Sequence, residues 1–340
     1  MSGVETGRPE GPPPQGPPPQ TALTVDEARR RVEGLRIEVP GSSANLGPGF
    51  DALAVAVRLY VRVTVRRVLD GPRNALRCSF AGVALEGDNY IARSVDTLAK
   101  REGIDYPALD VSVESEIPMQ GGLGSSAAAT VAGLMLFERL AGPRDRDLLA
   151  EGTRFEGHPD NVAASLLGGL TAACTTEDGR AVAVSMPWPT DVRLVAVTPE
   201  VRVKTPEARR VLPETYTRAD AVFNLQRATL LMAAIHAGRT DLLRDALADR
   251  WHQPYRARLV PGLTEALALR VPGLLGVCLS GSGPTVVALC SGDTSAVEGA
   301  LTDVYARLGL PCRVRTLAAH NGPPNLTQPD PTCRNPSQRT

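Results

Sequence analysis

Alternating apolar and polar positions mark several short stretches of the chain. From residue 57 to residue 66, every odd position is valine or leucine, and four of the five even positions are arginine or threonine. Successive side chains of a strand point to opposite faces, so this alternation predicts a half-buried strand. The same pattern predicts a strand at 109–114, and similar runs predict further strands at 193–197, 274–279, 285–290 and 313–317.

Longer segments between these strands predict helices. The most evident ones cover residues 125–140, 219–237 and 294–308. Strands and helices are mixed in both halves of the chain, no segment repeats, and the pattern breaks near residue 190. The chain is therefore predicted to be an α+β protein of two domains, for which 340 residues are enough.

The composition is that of a soluble globular protein. Hydrophobic residues make up 43% of the chain and charged residues 22%, and 37 basic residues balance 37 acidic ones. A balanced charge argues against nucleic acid or a membrane surface as a partner. The sequence has no apolar run of the ~18 residues that a membrane span needs, no signal-peptide pattern, and no CxxC pair among its six cysteines. These features predict a reduced, cytoplasmic protein without a structural metal.

Both ends of the chain are rich in proline. Residues 1–22 contain seven prolines and four glycines, and residues 321–340 contain five prolines. Such segments bury too little apolar surface to offset their ordering entropy, which predicts disordered tails; proline-rich ligands for a partner are the alternative. The predicted division is a tail and linker at 1–34, an N-terminal domain at 35–190, a C-terminal domain at 191–319 and a tail at 320–340.

The strongest candidate for chemistry is a glycine-rich turn between a predicted strand and a long helix. It reads PMQGGLGSSAA and spans residues 118–128. Glycines let backbone N–H groups approach an anion closely, and a helix start adds unpaired N–H donors with about half a positive charge. The serines at the helix start can cap the helix, or they can contact a phosphate and Mg²⁺.

Three interpretations of this turn compete: a plain capped turn, a dinucleotide fingerprint and a phosphate loop. The dinucleotide fingerprint requires an acidic residue at the end of a second strand about 20 residues later, where the chain has Ala141-Gly142-Pro143 after a helix. A P-loop requires a lysine, and the two lysines of the chain, Lys100 and Lys204, lie elsewhere in the sequence. A phosphate loop at this place must therefore hold a triphosphate with backbone dipoles, hydroxyls and Mg²⁺.

The turn resembles the second motif of the GHMP kinases, a family that includes galactokinase, homoserine kinase, mevalonate kinase and phosphomevalonate kinase. PGSSANLGPGFD at 40–51 resembles the first motif of that family, and LSGSGPT at 279–285 resembles the third. Each match alone is weak, but three matches in the family's order form a specific signal. The resemblance covers roughly residues 36–317.

This resemblance implies the two-domain GHMP fold. The N-terminal α+β domain would bind ATP, the C-terminal domain would be a ferredoxin-like α/β sandwich, and the substrate would lie between them. Mg²⁺ would be held by Glu156 with Ser126 or its neighbour Ser125, because oxygen ligands suit this cation, and Glu151 is the alternative ligand. The residues implied to contact ATP are Asn89, Pro118, Met119, Gln120, Gly121, Gly122, Leu123, Gly124, Ser125, Ser126, Ala127, Ala128, Gly281, Ser282 and Gly283.

Two segments resemble the homoserine-kinase branch of the family in particular. They are SANLGPGFD in the first motif and EGHPDNVA at 156–163, and TPEAR at 205–209 with HQPYR at 252–256 completes the similarity. Many relatives have an aspartate at the position of Asn161, and an asparagine cannot accept a proton. Catalysis would then depend on positioning and on electrostatic stabilisation. The residues implied to act in catalysis are Asn45, Ser125, Ser126, Glu156 and Asn161.

The same branch implies that the substrate is L-homoserine. Its carboxylate suits the guanidinium forks of Arg209 and Arg256, and its ammonium would pair with Asp51. The hydroxyl group would be oriented by Asn45 and Asn161. The full set of residues implied to contact the substrate is Asn45, Asp51, His158, Arg209 and Arg256.

Plainer interpretations remain for individual residues. Without the motifs, Arg209 and Arg256 would be read as surface charges. His158 would be a turn residue, and Asp160 would cap the next helix. Ala54 stands where the family commonly has glycine, a change that removes no catalytic atom. The rival hypotheses for the function are another GHMP kinase, acting on a mevalonate-pathway alcohol or a sugar, and a non-catalytic regulator with this fold. The sequence also allows the protein to form a homodimer.

Overall fold

Two β-sheets with helices packed on them form the part of the chain that the structure, a computed structural model, describes: residues 21–81, 88–142 and 144–328. The strands are β1 (Thr21–Ala22), β2 (Arg36–Ala44), β3 (Leu53–Leu69), β4 (Leu76–Ala81), β5 (Ile104–Asp105), β6 (Ala108–Ser115), β7 (Leu170–Thr175), β8 (Ala181–Met186), β9 (Val192–Pro199), β10 (Leu274–Leu279), β11 (Val286–Ser291), β12 (Cys312–Leu317) and β13 (Asn325–Thr327). The helices are α1 (Val25–Val32), α2 (Tyr90–Glu102), α3 (Ser125–Ala141), α4 (Leu148–Glu156), α5 (Asp160–Leu167), α6 (Thr205–Arg210), α7 (Arg218–His236), α8 (Leu243–Ala246), α9 (Gln253–Arg256), α10 (Leu263–Leu267) and α11 (Ser295–Arg307). Among the described residues, no helix has the length and apolar character to cross a bilayer.

The N-terminal half is organised around the long strand β3. This strand pairs antiparallel with β2 on one side and with β6 on the other, and its first residues also pair with β7. β4 joins β6 in parallel, β8 joins β7, and β13 joins β2, which gives a seven-stranded mixed sheet. The alternation predicted for β3 is confirmed, since Val61, Val63 and Val65 are buried whereas Arg58 and Arg66 are exposed.

Helix α3 lies at the centre of the helical layer on this sheet. It contacts α2, α4 and α5 as well as strands β2 and β3. Ten of its seventeen residues are buried, so packing on nearly all sides fixes its position. Its first residue follows the glycine-rich turn directly, and the turn is therefore attached to one of the most rigidly held elements of the fold.

The C-terminal half is a four-stranded antiparallel sheet in the order β10-β11-β9-β12. Along the chain, strand β9 is followed by helices α6 to α10, the hairpin of β10 and β11, helix α11 and strand β12. This is a βαββαβ arrangement with its first and third strands in the centre of the sheet. The predicted ferredoxin-like sandwich, and with it the two-domain α+β fold, is confirmed.

The two halves share one hydrophobic core. Leu194 and Ala196, on one face of β9, pack into the same cluster as Val63 of the N-terminal sheet. Val195 and Val197, on the opposite face of β9, pack into a second cluster with helix α11. A strand that is buried on both faces forms a continuous apolar run rather than an alternating one, as the sequence of β9 does. The loops that the two halves contribute are therefore held in a fixed relation.

The predicted tails are wrong in part. The segment assigned to 1–34 contains strand β1 and helix α1, and the segment assigned to 320–340 contains strand β13. Helix α1 forms because Thr24 and Glu27 make a reciprocal capping box and because Ala28 and Val32 are buried. Strand β13 extends the N-terminal sheet by pairing with β2. The remaining parts of the two predicted tails, 1–20 and 329–340, lie outside the described residues.

Two helical glycines have different surroundings. Gly133 of α3 lies against α2, where an added Cβ atom would come within 2.6 Å of the Ile91 carbonyl oxygen and 2.8 Å of the Ser94 Cβ atom. Gly299 of α11 is exposed, and an added Cβ atom would meet nothing within 4 Å. Of these two glycines, Gly133 is the one that permits a close approach of two helices.

We expect opposite effects when each of these glycines becomes alanine. Gly133→Ala should lower the free energy of unfolding by about 1–3 kcal/mol, because the methyl group overpacks the contact between α2 and α3. Gly299→Ala should raise it by up to about 1 kcal/mol, because alanine loses less backbone entropy in a helix. Urea unfolding of both variants and the parent measures the two changes. A Gly133→Ala protein as stable as the parent would contradict the close helix contact.

Candidate active site

A cleft of about 900 Å³ opens where the two halves meet. Its walls are formed by the glycine-rich turn and the start of α3, the loop after β2, the turn before α5, the start of α6 and the turn after β10. The predicted site residues that line it are Asn45, Asp51, Asn89, Pro118, Met119, Gln120, Gly122, Gly124, Ser125, Ser126, Glu156, His158, Asn161, Arg209, Arg256, Gly281 and Ser282.

Helix α3 begins at this cleft without a side-chain cap. Gly124 occupies the N-cap position with φ of 71°, and no side-chain hydrogen bond caps the first turn. Ser125 and Ser126 are the first two residues of the helix, and both line the cleft. The first N–H groups of a helix lack intrahelical partners, and the helix dipole gives this end a partial positive charge. An anion in the cleft would be stabilised at this helix start.

The turn is joined to loops from both halves of the molecule. The Ser42 N–H donates to the Leu123 carbonyl over 3.1 Å, which attaches the end of β2. The Ser280 hydroxyl donates to the Gly122 carbonyl over 2.6 Å, which attaches the turn after β10. The three segments that resemble family motifs therefore meet at one point, although they are far apart in the sequence.

Glycine is required at two positions of this junction. A Cβ atom on Gly122 would lie 2.5 Å from the Ser280 carbonyl oxygen, and a Cβ atom on Gly124 would lie 2.3 Å from the Ser42 hydroxyl oxygen. Both glycines also have positive φ, at 78° and 71°. Side chains other than glycine rarely adopt this conformation, so both the space and the backbone demand glycine.

Glu156 faces the start of α3. The Ser126 hydroxyl donates to one carboxylate oxygen over 2.8 Å, and the Thr130 hydroxyl donates to the other over 3.3 Å. Burial raises the pKa of Glu156 above its usual range, although the hydrogen bond from Ser126 opposes this effect. A buried carboxylate next to a hydroxyl provides the hard oxygen ligands that a divalent cation such as Mg²⁺ prefers.

His158 is paired with a buried carboxylate. Its Nδ1 atom lies 2.5 Å from Asp160 Oδ1, and the side chain of Asp160 also accepts the Asn161 N–H over 2.7 Å. Burial acts to lower the pKa of His158, but the hydrogen bond and the charge of Asp160 outweigh burial and raise it. Asp160 is the first residue of α5 rather than its cap, since Pro159 occupies the N-cap position.

The two asparagines predicted to orient a hydroxyl group are themselves anchored. The Ser42 hydroxyl donates to Asn161 Oδ1 over 2.8 Å. Asn45 Nδ2 donates to the Gly281 carbonyl over 2.9 Å, and its Oδ1 accepts the Asp51 N–H over 3.0 Å. Asn45 thus connects the loop after β2 to the turn after β10, a structural role that the sequence does not reveal.

Asp51 and Arg209 form a two-pronged ion pair. Each carboxylate oxygen accepts a hydrogen bond from a different guanidinium nitrogen, both over 2.8 Å. Both side chains are only partly buried, with exposed fractions of 32% and 38%, so solvent weakens the pair. The ring of Phe50 lies beneath the guanidinium groups of Arg209 and Arg256, 5.5 and 5.2 Å from their central carbons. Asp51 and Arg209, which are predicted to bind the ammonium and the carboxylate of the substrate, therefore lie next to each other.

Arg256 is almost fully buried, with 2% of its surface exposed. Its Nε atom donates to the Ala208 carbonyl over 3.1 Å, and its Nη1 atom donates to the Gly281 carbonyl over 2.9 Å. The Nη1 atom also lies 3.3 Å from His252 Nδ1. Burial, together with repulsion from Arg209, lowers the pKa of Arg256 to about 10, so the group stays charged at neutral pH.

Aromatic and apolar side chains also line the cleft. Phe80, Tyr90, Ile117 and Phe155 are among them, and the guanidinium group of Arg93 lies about 6 Å from the rings of Tyr90 and Phe155. The flat aromatic side chains among them suit contact with a flat ring. Asn89 lines the cleft as well, but its side chain accepts the Ala92 N–H over 3.1 Å and caps helix α2.

Comparisons with known proteins agree with this geometry. Residues 89–169 match the family model of the GHMP kinases N terminal domain, and residues 231–307 match that of the GHMP kinases C terminal. The chain is 44% identical over 253 residues to a homoserine kinase of Solibacter usitatus, a match that covers 74% of this chain and 83% of that protein. The chain belongs to the GHMP kinase family. GHMP kinases use ATP, and the uncapped start of α3 is the part of this cleft that suits its phosphates.

A second relative and a solved structure are also similar to this GHMP kinase. It is 41% identical over 283 residues to a homoserine kinase of Deinococcus radiodurans, covering 82% of this chain and 92% of that protein. The crystal structure of homoserine kinase from Cytophaga hutchinsonii matches with a TM-score of 0.75 at 26% identity, covering 87% of this chain and 98% of that chain.

Some residues predicted to contact ATP do not line the cleft, and the side chains of the non-glycine members are buried in the core. Their buried position helps to hold the turn and the helix start in place, and their contact with ATP stays a prediction. These residues are Gly121, Leu123, Ala127, Ala128 and Gly283.

The alternative metal ligand, Glu151, already has charged partners. One of its carboxylate oxygens pairs with Arg101 over 2.8 Å, and the other pairs with Arg154 over 2.6 Å. Glu151 does not line the cleft, whereas Glu156, one turn later on the same helix α4, does. The carboxylate at 151 is therefore occupied by arginines, and only Glu156 of the two can reach a metal in the cleft.

Three cationic residues of the C-terminal half line the cleft without having been predicted. Lys204 precedes helix α6, next to Thr205, whose hydroxyl lies 3.4 Å from that of Ser282. Arg313 and Arg315 project from the same face of β12. No sequence pattern pointed to Lys204, because a lysine far from the glycine-rich turn reaches the cleft only through the packing of the two halves.

The pairing of His158 with Asp160 predicts how the imidazole titrates in the Mg²⁺-free protein. In the parent, His158 should titrate above about pH 6.5, the value of an unperturbed histidine, whereas in Asp160→Asn burial alone should move it below that value. Histidine NMR spectra across the pH range measure both titrations.

The raised pKa also sets the sign of the stability effect. A group whose folded pKa exceeds its unfolded pKa stabilises the protein fully below the unfolded value, and this contribution is lost as the pH rises through the folded value. The stability difference between the parent and Asp160→Asn should therefore be larger at pH 6 than at pH 9. A difference that grows with pH would show that the imidazole and the carboxylate are not paired.

Proposed function

We propose that this GHMP kinase transfers the γ-phosphoryl group of ATP to the side-chain hydroxyl of L-homoserine, giving O-phospho-L-homoserine and ADP. A bond forms between the hydroxyl oxygen and phosphorus, the bond between phosphorus and the oxygen that leaves with ADP breaks, and the hydroxyl loses its proton. The observation that carries the proposal is the group of paired charges formed by Asp51, Arg209 and Arg256 in the cleft. The homoserine kinases among the relatives support the same substrate.

The charges of homoserine match those of the site. Its ammonium would bind to Asp51, and its carboxylate would bind to Arg209 and to the free Nη2 end of Arg256. The zwitterion would thus replace the partly exposed ion pair of Asp51 and Arg209 with two charge-assisted contacts. In each contact, a charge of the site would face the opposite charge of the substrate. Mevalonate carries a carboxylate but no ammonium, and galactose carries neither, so each would leave a charge of the site without a partner.

The glycine-rich turn and the start of α3 are proposed to bind the phosphates of ATP. Gly122 and Gly124 let the neighbouring loops pack against the turn, and the uncapped helix start at Ser125 and Ser126 lines the cleft. Unpaired N–H groups at such a helix start suit a phosphate. The aromatic side chains that line the cleft would hold the adenine, and Asn89, which also lines it, would be near the ring. Lys204 adds a positive charge from the opposite wall.

Glu156 and Ser126 are proposed to hold Mg²⁺. The donor set fits this cation, because a buried carboxylate and a hydroxyl offer hard oxygen ligands at 2.8 Å from each other. When bound, Mg²⁺ neutralises part of the negative charge on the phosphates. Burial raises the pKa of Glu156 in the absence of a cation, which is the response expected of a carboxylate that lacks a positive partner.

Among the described residues, the two carboxylates near the predicted hydroxyl position, those of Asp51 and Asp160, already have partners. Asp51 is paired with Arg209, and Asp160 accepts hydrogen bonds from His158 and Asn161. The raised pKa of His158 favours its cationic form, which cannot accept a proton. The rate would therefore depend on the alignment of the hydroxyl with the phosphorus and on positive charge around the phosphoryl group.

The substrate is tested by a comparison of alcohols. In a coupled assay of ADP release, kcat/KM for L-homoserine should exceed the values for mevalonate and galactose by about 10³-fold or more, because an unpaired charge in a partly desolvated site costs several kcal/mol. Faster turnover of mevalonate or galactose would reject homoserine as the substrate while leaving the GHMP fold in place.

Helix α6 offers a matched pair of variants for the same question. Arg209→Gln should raise the KM for homoserine while leaving the KM for ATP nearly unchanged. Arg210→Gln removes the same charge from the next residue of the helix, which is exposed and does not line the cleft. Equal effects of the two substitutions would mean that Arg209 contributes only to the general charge of the surface.

The metal assignment predicts a difference between two glutamates of helix α4. Glu156→Gln should lower kcat by about 10²–10³-fold and raise the Mg²⁺ concentration needed for half-maximal rate, because it weakens electrostatic stabilisation of the transferring group. Its effect on the KM for homoserine should be small. Glu151→Gln should lower thermal stability through the loss of its arginine partners and keep the parent's Mg²⁺ dependence. The reverse pattern would return the metal to Glu151.

A further inference from the structure

We propose that His252 is a positioning residue that aims Arg256 at the substrate carboxylate and that it does so as the neutral tautomer with hydrogen on Nε2. The inference rests on the proposed function, because it assigns the free end of Arg256 to the carboxylate of homoserine. His252 itself is fully buried and does not line the cleft, so it acts only through the arginine.

The two ring nitrogens of His252 face groups of opposite kinds. Nε2 lies 2.7 Å from the Gly47 carbonyl oxygen, which can only accept a hydrogen bond, so Nε2 carries the hydrogen. In a neutral ring Nδ1 is then an acceptor, and it lies 3.3 Å from Nη1 of Arg256, which can only donate. The ring therefore connects the loop after β2 to the guanidinium group through one donated and one accepted hydrogen bond.

The surroundings favour this neutral form. Burial lowers the pKa of His252, and the positive charge of Arg256 acts in the same direction against the nearby carboxylate of Asp249. Asp249 is itself satisfied by four hydrogen bonds. Three of them come from the backbone N–H groups of Trp251, His252 and Gln253, and they fix the turn that carries the ring. A second proton on the ring would point an N–H group at a guanidinium.

The contacts of Arg256 determine which of its atoms face the cleft. Nε donates to the Ala208 carbonyl, and the two hydrogens of Nη1 are directed to the Gly281 carbonyl and to His252 Nδ1. Within the described part of the chain, no hydrogen bond ends on Nη2, and Arg256 lines the cleft. Because three anchors hold a planar group, its remaining edge has a fixed direction, and His252 supplies the side-chain anchor.

Two amide substitutions separate the contacts of the ring. In His252→Asn the side-chain oxygen can take the place of Nδ1 and accept from Arg256, while the contact to Gly47 is lost. In His252→Gln the amide nitrogen can take the place of Nε2 and donate to Gly47, while the acceptor for Arg256 is lost. The two variants are similar in polarity, so a general effect of burying an amide is common to both.

The test compares homoserine with 3-amino-1-propanol, which has the same ammonium and hydroxyl but lacks the carboxylate. For His252→Gln we expect the KM for homoserine to rise about tenfold or more, since a hydrogen bond to a charged group is lost, with kcat and the KM for ATP nearly unchanged. The preference for homoserine over the amino alcohol should fall by a similar factor. His252→Asn should keep most of the preference, and thermal unfolding of both variants checks that they are folded.

Different outcomes reject different statements. If the parent itself does not prefer homoserine over the amino alcohol, then the carboxylate assignment in the proposed function is wrong. If the parent has this preference and both variants keep it or lose it equally, then His252 does not aim Arg256.

A measurement on the parent makes the test independent of whether the variants fold. Nitrogen-15 histidine NMR distinguishes the two neutral tautomers from the cation, and the chain has only four histidines to assign. We expect His252 to be neutral with hydrogen on Nε2, and its Nδ1 signal to shift when homoserine binds at saturating ATP analogue. A cationic ring, or one with hydrogen on Nδ1, would overturn the proposal.

Discussion

Backbone packed directly on backbone is the constraint on which the site of this GHMP kinase depends. The space beside Gly122 is filled by the Ser280 carbonyl, and the space beside Gly124 is filled by the hydroxyl of Ser42. Neither glycine carries a side chain that would hold the loops apart, so the three loops can exchange hydrogen bonds and fix one another. The start of α3 is thereby placed next to loops from both halves of the molecule. Under the proposed function, phosphates, a cation and an alcohol must be aligned at one place, and this junction would provide that alignment.

Charge is buried beside the junction because each charged group has partners. Arg256 is 2% exposed and is held by two carbonyls and a histidine, and the side chain of Asp249 is fully buried and accepts four hydrogen bonds. A buried ion without such bonds would lower the stability of the fold by several kcal/mol. These contacts offset that loss for Arg256. They also reach across the molecule, since His252 donates to Gly47 of the N-terminal half. The contacts that stabilise the charge are therefore the same contacts that orient it.

Local features of this molecule can be predicted from the sequence, whereas features that arise from tertiary packing cannot. The alternation in β3 and the apolar run in α3 are local, and both predict their element within a few residues. Glu156 and Ser126 could be placed together only through the resemblance of their motifs to a family. Lys204 has no such motif, and it reaches the cleft through the docking of the two halves. Helix α1 could have been found, because Thr24 and Glu27 carry a capping-box signature, but the proline-rich composition before it was extended too far.

The contacts that align the proposed site are important for catalysis because position 161 is an asparagine. An aspartate there could accept the hydroxyl proton and contribute to the rate as a general base. Asn161 has no such capacity, and its Oδ1 atom already accepts the Ser42 hydroxyl at the end of β2. Under the proposed function, the rate would then come from geometry and electrostatics, and a displacement of about 1 Å can cost 10²-fold in such a site. Because the alignment is set by contacts between the halves, the shared core beneath the cleft is part of the catalytic apparatus: substitutions that loosen it should lower kcat before they unfold the protein.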